Sequence, residues 1–215
     1  MRTSAPAGRP SLLFLCHTLP YPPDSGANIR SYNILRLLER EFTVTALCFF
    51  RRAGHSSPGA VSESVRHLSR FARVEAFPIP QEHSRLRLFT DHGQSLARCQ
   101  AYTLWVYASR DYRARISGLL GTGEVDLVHV DSLDLVGYLQ LLSGIPTVCT
   151  HHNVESQLLR RRALAEPSRW RRKYLLRQAG WVEELERTGF GGRYFPSKSR
   201  PQLSLGTAGD GGCNG

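Results

Sequence analysis

Short apolar runs alternate with helix-length amphipathic stretches along most of this chain, and that alternation leaves few folds open. Ser11 to His17 (SLLFLCH) is continuously apolar and ends at a Pro-rich turn, as a strand buried on both faces does. Leu19 to Gly26 (LPYPPDSG) is loop, because its three prolines suit neither helix nor ladder. Asn28 to Arg40 then puts Ile34, Leu37, Leu38 and Phe42 on one helical face, and Phe42 to Phe50 is a second apolar run. A helix over Ser62 to Phe71 and a strand over Arg73 to Ile79 continue the pattern. One or two helices follow across residues 84 to 120. Val125 to Val130 reads as a strand, Leu133 to Leu142 as a helix, and Ile145 to Thr150 as a strand. A long helical stretch from Glu155 to about Glu186, interrupted at Pro167, closes the series. Strands separated by helices pair in parallel, so the expected fold is α/β: a Rossmann-like, doubly wound parallel sheet of five strands.

The last segment breaks this pattern. Thr188 to Gly215 holds eight glycines and one carboxylate, Asp210, without apolar periodicity. Such a composition cannot offset the entropy of ordering, so the reading expects one domain over residues 11–187 and a disordered tail over 188–215.

No apolar run reaches the ~18 residues that a membrane span needs, and Leu12 to Cys16 is too short for a secretory leader. The expected location is cytoplasmic, with a peripheral place on the inner face of a membrane as a variant. The five cysteines form no C-x-x-C pair, and Cys16, Cys48 and Cys149 fall inside apolar runs, where they act as small buried hydrophobes. No metal is expected.

Charge is concentrated. The net charge is +10, and +7 of it lies between Gln157 and Arg177: Arg160, Arg161, Arg162, Arg169, Arg171, Arg172, Lys173 and Arg177 face only Glu166. Trp170, Tyr174, Trp181 and Leu185 share one face of the same stretch. Three readings compete: an ordinary packed surface helix, an interfacial helix drawn to anionic lipid, and a nucleic-acid binder. The last lacks any recognised motif.

In an open parallel sheet, ligands bind beyond the carboxyl ends of the strands. Three loops qualify. The first brings Gly26 to a helix N-terminus, where free N–H groups favour an anion and Arg30 can add a cation. The competing reading is that Gly26 only turns the chain while Asp24 or Ser25 caps the helix. The second carries Asp131 and Asp134, which suit sugar hydroxyls or helix capping. The third is His151-His152-Asn153, whose adjacent histidines point opposite ways, so at most one faces the cleft. His129 lies within a strand and is structural.

Tyr21-Pro22-Pro23-x-x-Gly26-x-x-Ile29-Arg30-Ser31 after a first strand resembles the opening of glycosyltransferase family 4, in its bacterial exopolysaccharide and sugar-transferase branch. Val125-Asp126-Leu127-Val128-His129, then Pro146-Thr147-Val148-x-Thr150-x-His152-Asn153-Val154-Glu155, resembles the later part of the same N-terminal domain. The ordered series runs from about Leu12 to Glu186. The resemblance implies a GT-B protein: two Rossmann-like domains across a cleft, nucleotide sugar mainly on the C-terminal one, acceptor mainly on the N-terminal one. It implies retaining, metal-independent sugar transfer to a glycan or lipid-linked acceptor, with no cofactor beyond the nucleotide-sugar donor. Carried over by position, Gly26 approaches the donor diphosphate with Arg30 beside it. His152 is the catalytic-site residue at the transferred sugar, and Asp131, Asn153 and Glu155 are acceptor contacts. Arg160, Arg161, Arg162, Arg171, Arg172 and Lys173 are the residues for an anionic surface. The chain departs from the family at Ser25-Gly26, where a Gly-Gly pair is frequent. It also departs in the absence of the Glu-x7-Glu pair of the second domain. The reading therefore expects a half-protein that is inactive alone, with a non-catalytic fragment binding an anionic partner as the alternative.

Overall fold

The computed structural model describes residues 8–51, 59–83, 85–151 and 153–188, with the side chains of His83 and Arg85 left aside. The tail expected to be disordered lies outside these, as does His152. Five parallel strands form one sheet: β1 (Ser11–Cys16), β2 (Thr43–Phe50), β3 (Arg73–Pro78), β4 (Leu127–Asp131) and β5 (Thr147–Cys149). Their order is β3-β2-β1-β4-β5. β1 sits at the centre, with Leu12 opposite Val44 on one side and Leu127 on the other. The chain builds outward from β1 through β2 and β3, then returns to the far side of β1. The sheet therefore has a topological switch point between β1 and β4.

The period of two along the strands divides the core. Leu13, Leu15, Leu47, Phe49, Val128 and Val130 face one layer, which includes α5 (Arg110–Gly121) and the 3₁₀ segment Leu133–Leu142. Here Tyr112 is fully buried, stacks on Phe49 and donates its hydroxyl to the Leu47 carbonyl at 2.9 Å. Leu12, Phe14, Cys16, Val44, Ala46 and Cys48 face the other layer, formed by α1 (Gly26–Leu38) and α2 (Ala60–Leu68). Burying a Leu or Phe side chain contributes roughly 1.5–3 kcal/mol, which explains why both faces of β1 and β2 are apolar.

Several expectations need correction. Ile34, Leu38 and Phe42 pack against the core as expected, but the buried positions of α1 are Ser31 and Leu35, and Leu37 is 58% exposed. In this orientation Ser31 donates to the buried Asp131 carboxylate. Residues 84 to 120 hold three helices: α3 (Arg85–Ala97), the single turn α4 (Thr103–Val106), and α5. The segment expected as a helix at Leu133–Leu142 is 3₁₀. β4 starts at Leu127, because Asp126 turns its carboxylate to accept from the Ser11 backbone at 2.9 Å. β5 is a short edge strand, so Cys149 is only half-buried, although burial pushes its thiol up to about 11. The final stretch is a hairpin of α6 (Glu155–Ala165) and α7 (Arg169–Thr188), broken around Pro167 as expected. Ser156 donates to Glu186 at 2.6 Å and Arg160 pairs with Glu183 at 2.5 Å, fastening one helix to the other.

Candidate functional site

The loop after β1 is held by Asn28. Its side-chain amide donates to the Pro22 carbonyl at 3.2 Å and to Asp24 at 2.9 Å, while its oxygen accepts from Thr18 at 2.9 Å. Ser25 is the N-cap of α1 and accepts from the Asn28 backbone N–H at 3.3 Å. The capping role thus belongs to Ser25, and Gly26 is the first helical residue. A Cβ built at Gly26 meets nothing within 4 Å. The fold therefore does not itself require glycine there, and the helix N-terminus is open to an approaching group.

Asp131 lies at the end of β4 and is fully buried. Its carboxylate accepts from the Ser31 hydroxyl, from Thr150 at 2.9 Å and from the Cys16 thiol at 3.6 Å. Its backbone carbonyl lies 3.1 Å from His17 Nδ1. Asp131 therefore ties β1, α1, β4 and the end of β5 together and turns away from the cleft, contrary to its expected place as an acceptor contact. The reason is geometric: its side chain belongs to the same sheet face as Phe14 and Cys16, beneath α1. Cys16, His17 and Asp131 offer ligand atoms within 4.8 Å of one another. Their chemistry suits a structural node better than a metal. The carboxylate already accepts three donors, and burial, with hydrogen bonding to Cys48 and the nearby Asp131, pushes the Cys16 thiol well up. Metal ligation needs the thiolate.

The carboxylate that faces the cleft is Asp134. It accepts from the Thr103 hydroxyl and from Ser132 at 3.2 Å, while its own N–H donates to Ser132 at 3.1 Å. Two cavities meet at this residue. A polar lobe of about 360 Å³ follows the β1–α1 loop past His17, Thr18, Ser25, Ala27 and Asn28. An apolar lobe of about 330 Å³ runs between α3, α4, α6 and α7, lined by Tyr102, Val106, Leu133, Leu159, Tyr174 and Val182 among others. Arg51, Tyr107 and Asp134 line both. Arg51 reaches the Tyr107 hydroxyl at 3.4 Å and Glu82 at 3.8 Å.

Glu155, the first residue of α6, lines the apolar lobe half-buried. Burial and then the Asp134 charge push its carboxyl above the usual range, while a hydrogen bond from Asn153 pulls it back. Glu155 and Asp134 thus form a pair of carboxyl groups in one chamber, with Asn153 exposed beside them. The wall opposite is aromatic: His92 stacks on Tyr102 at 3.8 Å and bonds the Tyr174 hydroxyl at 2.7 Å. Burial lowers the His92 pKa and pushes Tyr174 up to about 12. Gln178 is buried behind them, accepting from the Tyr102 N–H at 2.8 Å and donating to Ser95 at 2.9 Å.

Arg30 does not line either lobe. Its guanidinium donates to the His151 carbonyl at 2.8 Å, bringing the loop after β5 to the start of α1. The cation at the polar lobe is Arg51, which directly follows β2 and so also stands at the carboxyl end of a strand. Tyr102, Tyr107, His92, Tyr174 and Gln178 carried no comparable sequence signal. His129 is structural as expected, buried and 3.1 Å from the Thr150 hydroxyl.

Of the cationic residues, Arg160 pairs with Glu183, and Arg172 donates to the Glu166 carbonyl at 2.9 Å. Arg161, Arg162, Arg169, Arg171 and Lys173 are exposed on the hairpin. Tyr174 turns inward to line the apolar lobe, whereas Trp170 is 83% exposed on the hairpin. No helix of the described residues is long and apolar enough to cross a membrane. The chain matches no protein-family model, no curated protein and no solved structure.

Proposed function

We propose that this chain forms the acceptor-side domain of a retaining, metal-independent glycosyltransferase that takes a nucleotide sugar as donor. The acceptor class is a glycan or a lipid-linked sugar. The observation that carries this reading is the pair of cavities beyond the carboxyl ends of β1 and β4, a polar one beside a helix N-terminus and an apolar, carboxyl-bearing one, which share Arg51, Tyr107 and Asp134. A donor diphosphate suits the open N–H groups at Gly26 and the Arg51 cation. A saccharide suits the other chamber, where Asp134 and Glu155 can hold hydroxyls beside the Tyr102 ring. In the transfer, the bond from the anomeric carbon to the diphosphate oxygen breaks, and the acceptor oxygen bonds the same face. The acceptor proton leaves with the nucleoside diphosphate. Positioning is the chief contribution such a cleft makes, since orientation alone can account for several kcal/mol of a barrier, about 7–11 in favourable cases. The role of His152 rests on the resemblance alone.

Calorimetric titration of the full chain with a panel of nucleotide sugars, nucleoside diphosphates and oligosaccharides tests this. Nucleotide binding weakened by Arg51→Ala, and saccharide binding weakened by Asp134→Asn, are expected. Heats that neither variant alters would remove the assignment.

A further inference from the structure

Among the described residues, the four most exposed large apolar side chains lie on α3 and on the α6–α7 hairpin. On α3, Leu86 and Phe89 are each 73% exposed. On the α6–α7 hairpin, Leu164 and Trp170 are exposed by 79% and 83%. α3 and α7 run in the same direction, because His92 bonds Tyr174 and Ser95 bonds Gln178 further along both helices. Counting back one turn from the His92–Tyr174 contact brings Phe89 and Trp170 to the same level on the two helices. Leu164 and Trp170 flank the turn of the hairpin. Around them stand the exposed Arg161, Arg162, Arg169, Arg171 and Lys173.

We infer that this tip docks on an anionic lipid surface. Two independent properties converge on that partner. Residues 157–177 carry a net charge of +7, enough to collect anionic headgroups. The side chains that project between the cations are Trp, Phe and Leu, which partition into the headgroup–acyl boundary, whereas nucleic-acid phosphate needs no such aliphatic tip. The core does not use these residues, so neither packing nor stability accounts for them. Docking also has a geometric consequence. One turn further along each helix, His92 and Tyr174 line the apolar lobe. The lobe therefore lies directly behind the docked face, where an acceptor carrying a lipid chain would present its sugar. The docking itself stands without the sugar-transfer reading, because vesicle binding needs no donor or acceptor.

The test is co-sedimentation of the full chain with phosphatidylcholine vesicles, alone or with about one third phosphatidylglycerol. Binding to the anionic vesicles only is expected, falling as salt rises above about 0.1 M, where screening acts over ~10 Å. Phe89→Ser with Trp170→Ser should reduce binding about tenfold, and Arg171→Glu with Lys173→Glu by a similar factor. Both pairs are solvent-exposed, and circular dichroism of each variant should match the parent. Equal binding to neutral vesicles would overturn the inference, as would full retention by the Phe89/Trp170 variant. Duplex DNA that displaces the chain from vesicles and binds regardless of Phe89 and Trp170 would assign the patch to nucleic acid instead. A dimer that the Phe89/Trp170 variant converts to monomer, without vesicle binding by the parent, would assign it to self-association.

Discussion

The Arg30 guanidinium holds the His151 carbonyl at 2.8 Å, joining α1 to the loop that follows β5 across 121 positions of sequence. This bond ties two of the three strand-end loops together at the mouth of the sheet. A part-buried hydrogen bond from a charged donor is worth about 1.5–3 kcal/mol. Arg30→Met should lower stability by about that amount in urea unfolding. Hydrogen exchange around residues 151–154 should quicken in the same variant. An unchanged exchange pattern would show that the loop is held by other contacts.

Gly26→Ala separates the two readings of the first loop. The first helical position favours Ala over Gly, and the added Cβ has open space, so stability should hold or rise by up to ~1 kcal/mol. Nucleoside diphosphate affinity should nevertheless fall about tenfold, because the methyl group holds a phosphate oxygen off the backbone N–H groups. Undiminished affinity would leave Gly26 as the first residue of α1 with no part in phosphate binding.

Asp131 and Asp134 stand three positions apart and should behave oppositely. Asp131→Ala leaves the buried Ser31 hydroxyl without its acceptor, at about 1–3 kcal/mol for a buried group left unsatisfied, and leaves Thr150 with His129 alone. Its unfolding midpoint should drop sharply. Asp134→Asn keeps the shape and an acceptor for Thr103, so the midpoint should move little while saccharide affinity weakens. Parallel denaturation and calorimetry on the two variants check both halves.

The chamber should also register in the pH dependence of stability. Glu155 is raised above its ordinary 4.5, first by burial and then by Asp134. The folded state thus favours its protonated form. That contribution is full below pH 4.5 and is lost as pH rises through the elevated folded value. Glu155→Gln should therefore match the parent below that window and exceed it above. His92 has the opposite sign: burial lowers it from 6.5, so its contribution is present above pH 6.5 and fades as pH falls through the folded value. His92→Asn should flatten that acid-side decline. Denaturation midpoints collected from pH 3 to 8, about the range over which these carboxyl and imidazole groups titrate, check both signs.

Continuous apolar runs make the strands legible, and the central ones most of all. β1 and β2 are buried on both faces and read as unbroken apolar runs, whereas the edge strand β5 is shorter at both ends than the run Ile145 to Thr150 that marks it. Pro167 marked the hairpin turn. What stayed hidden depends on tertiary direction. The buried positions Ser31 and Leu35 could not be preferred over Leu37 without knowing that a buried carboxylate accepts from Ser31. Residues 98–109 have no period to read, yet they deliver Tyr102 and Tyr107 to the cleft. Asp131 and Asp134 look alike in sequence, and only the sheet face of β4 tells the inward one from the outward one.

The central place of β1 has a consequence for how the protein must be made. Its first neighbour, β2, is complete by residue 50, but its second, β4, begins at residue 127. At ordinary rates of synthesis, ~5–20 residues per second, the intervening stretch of chain takes roughly 4–16 seconds. Throughout that interval Leu12 to Cys16 presents a bare row of amide and carbonyl groups along the most apolar strand of the molecule. Any other extended segment nearby can pair with it. The nascent chain is thus most vulnerable to aggregation before β4 emerges, and chaperone capture over that interval should protect yield more than any stabilisation of the finished fold.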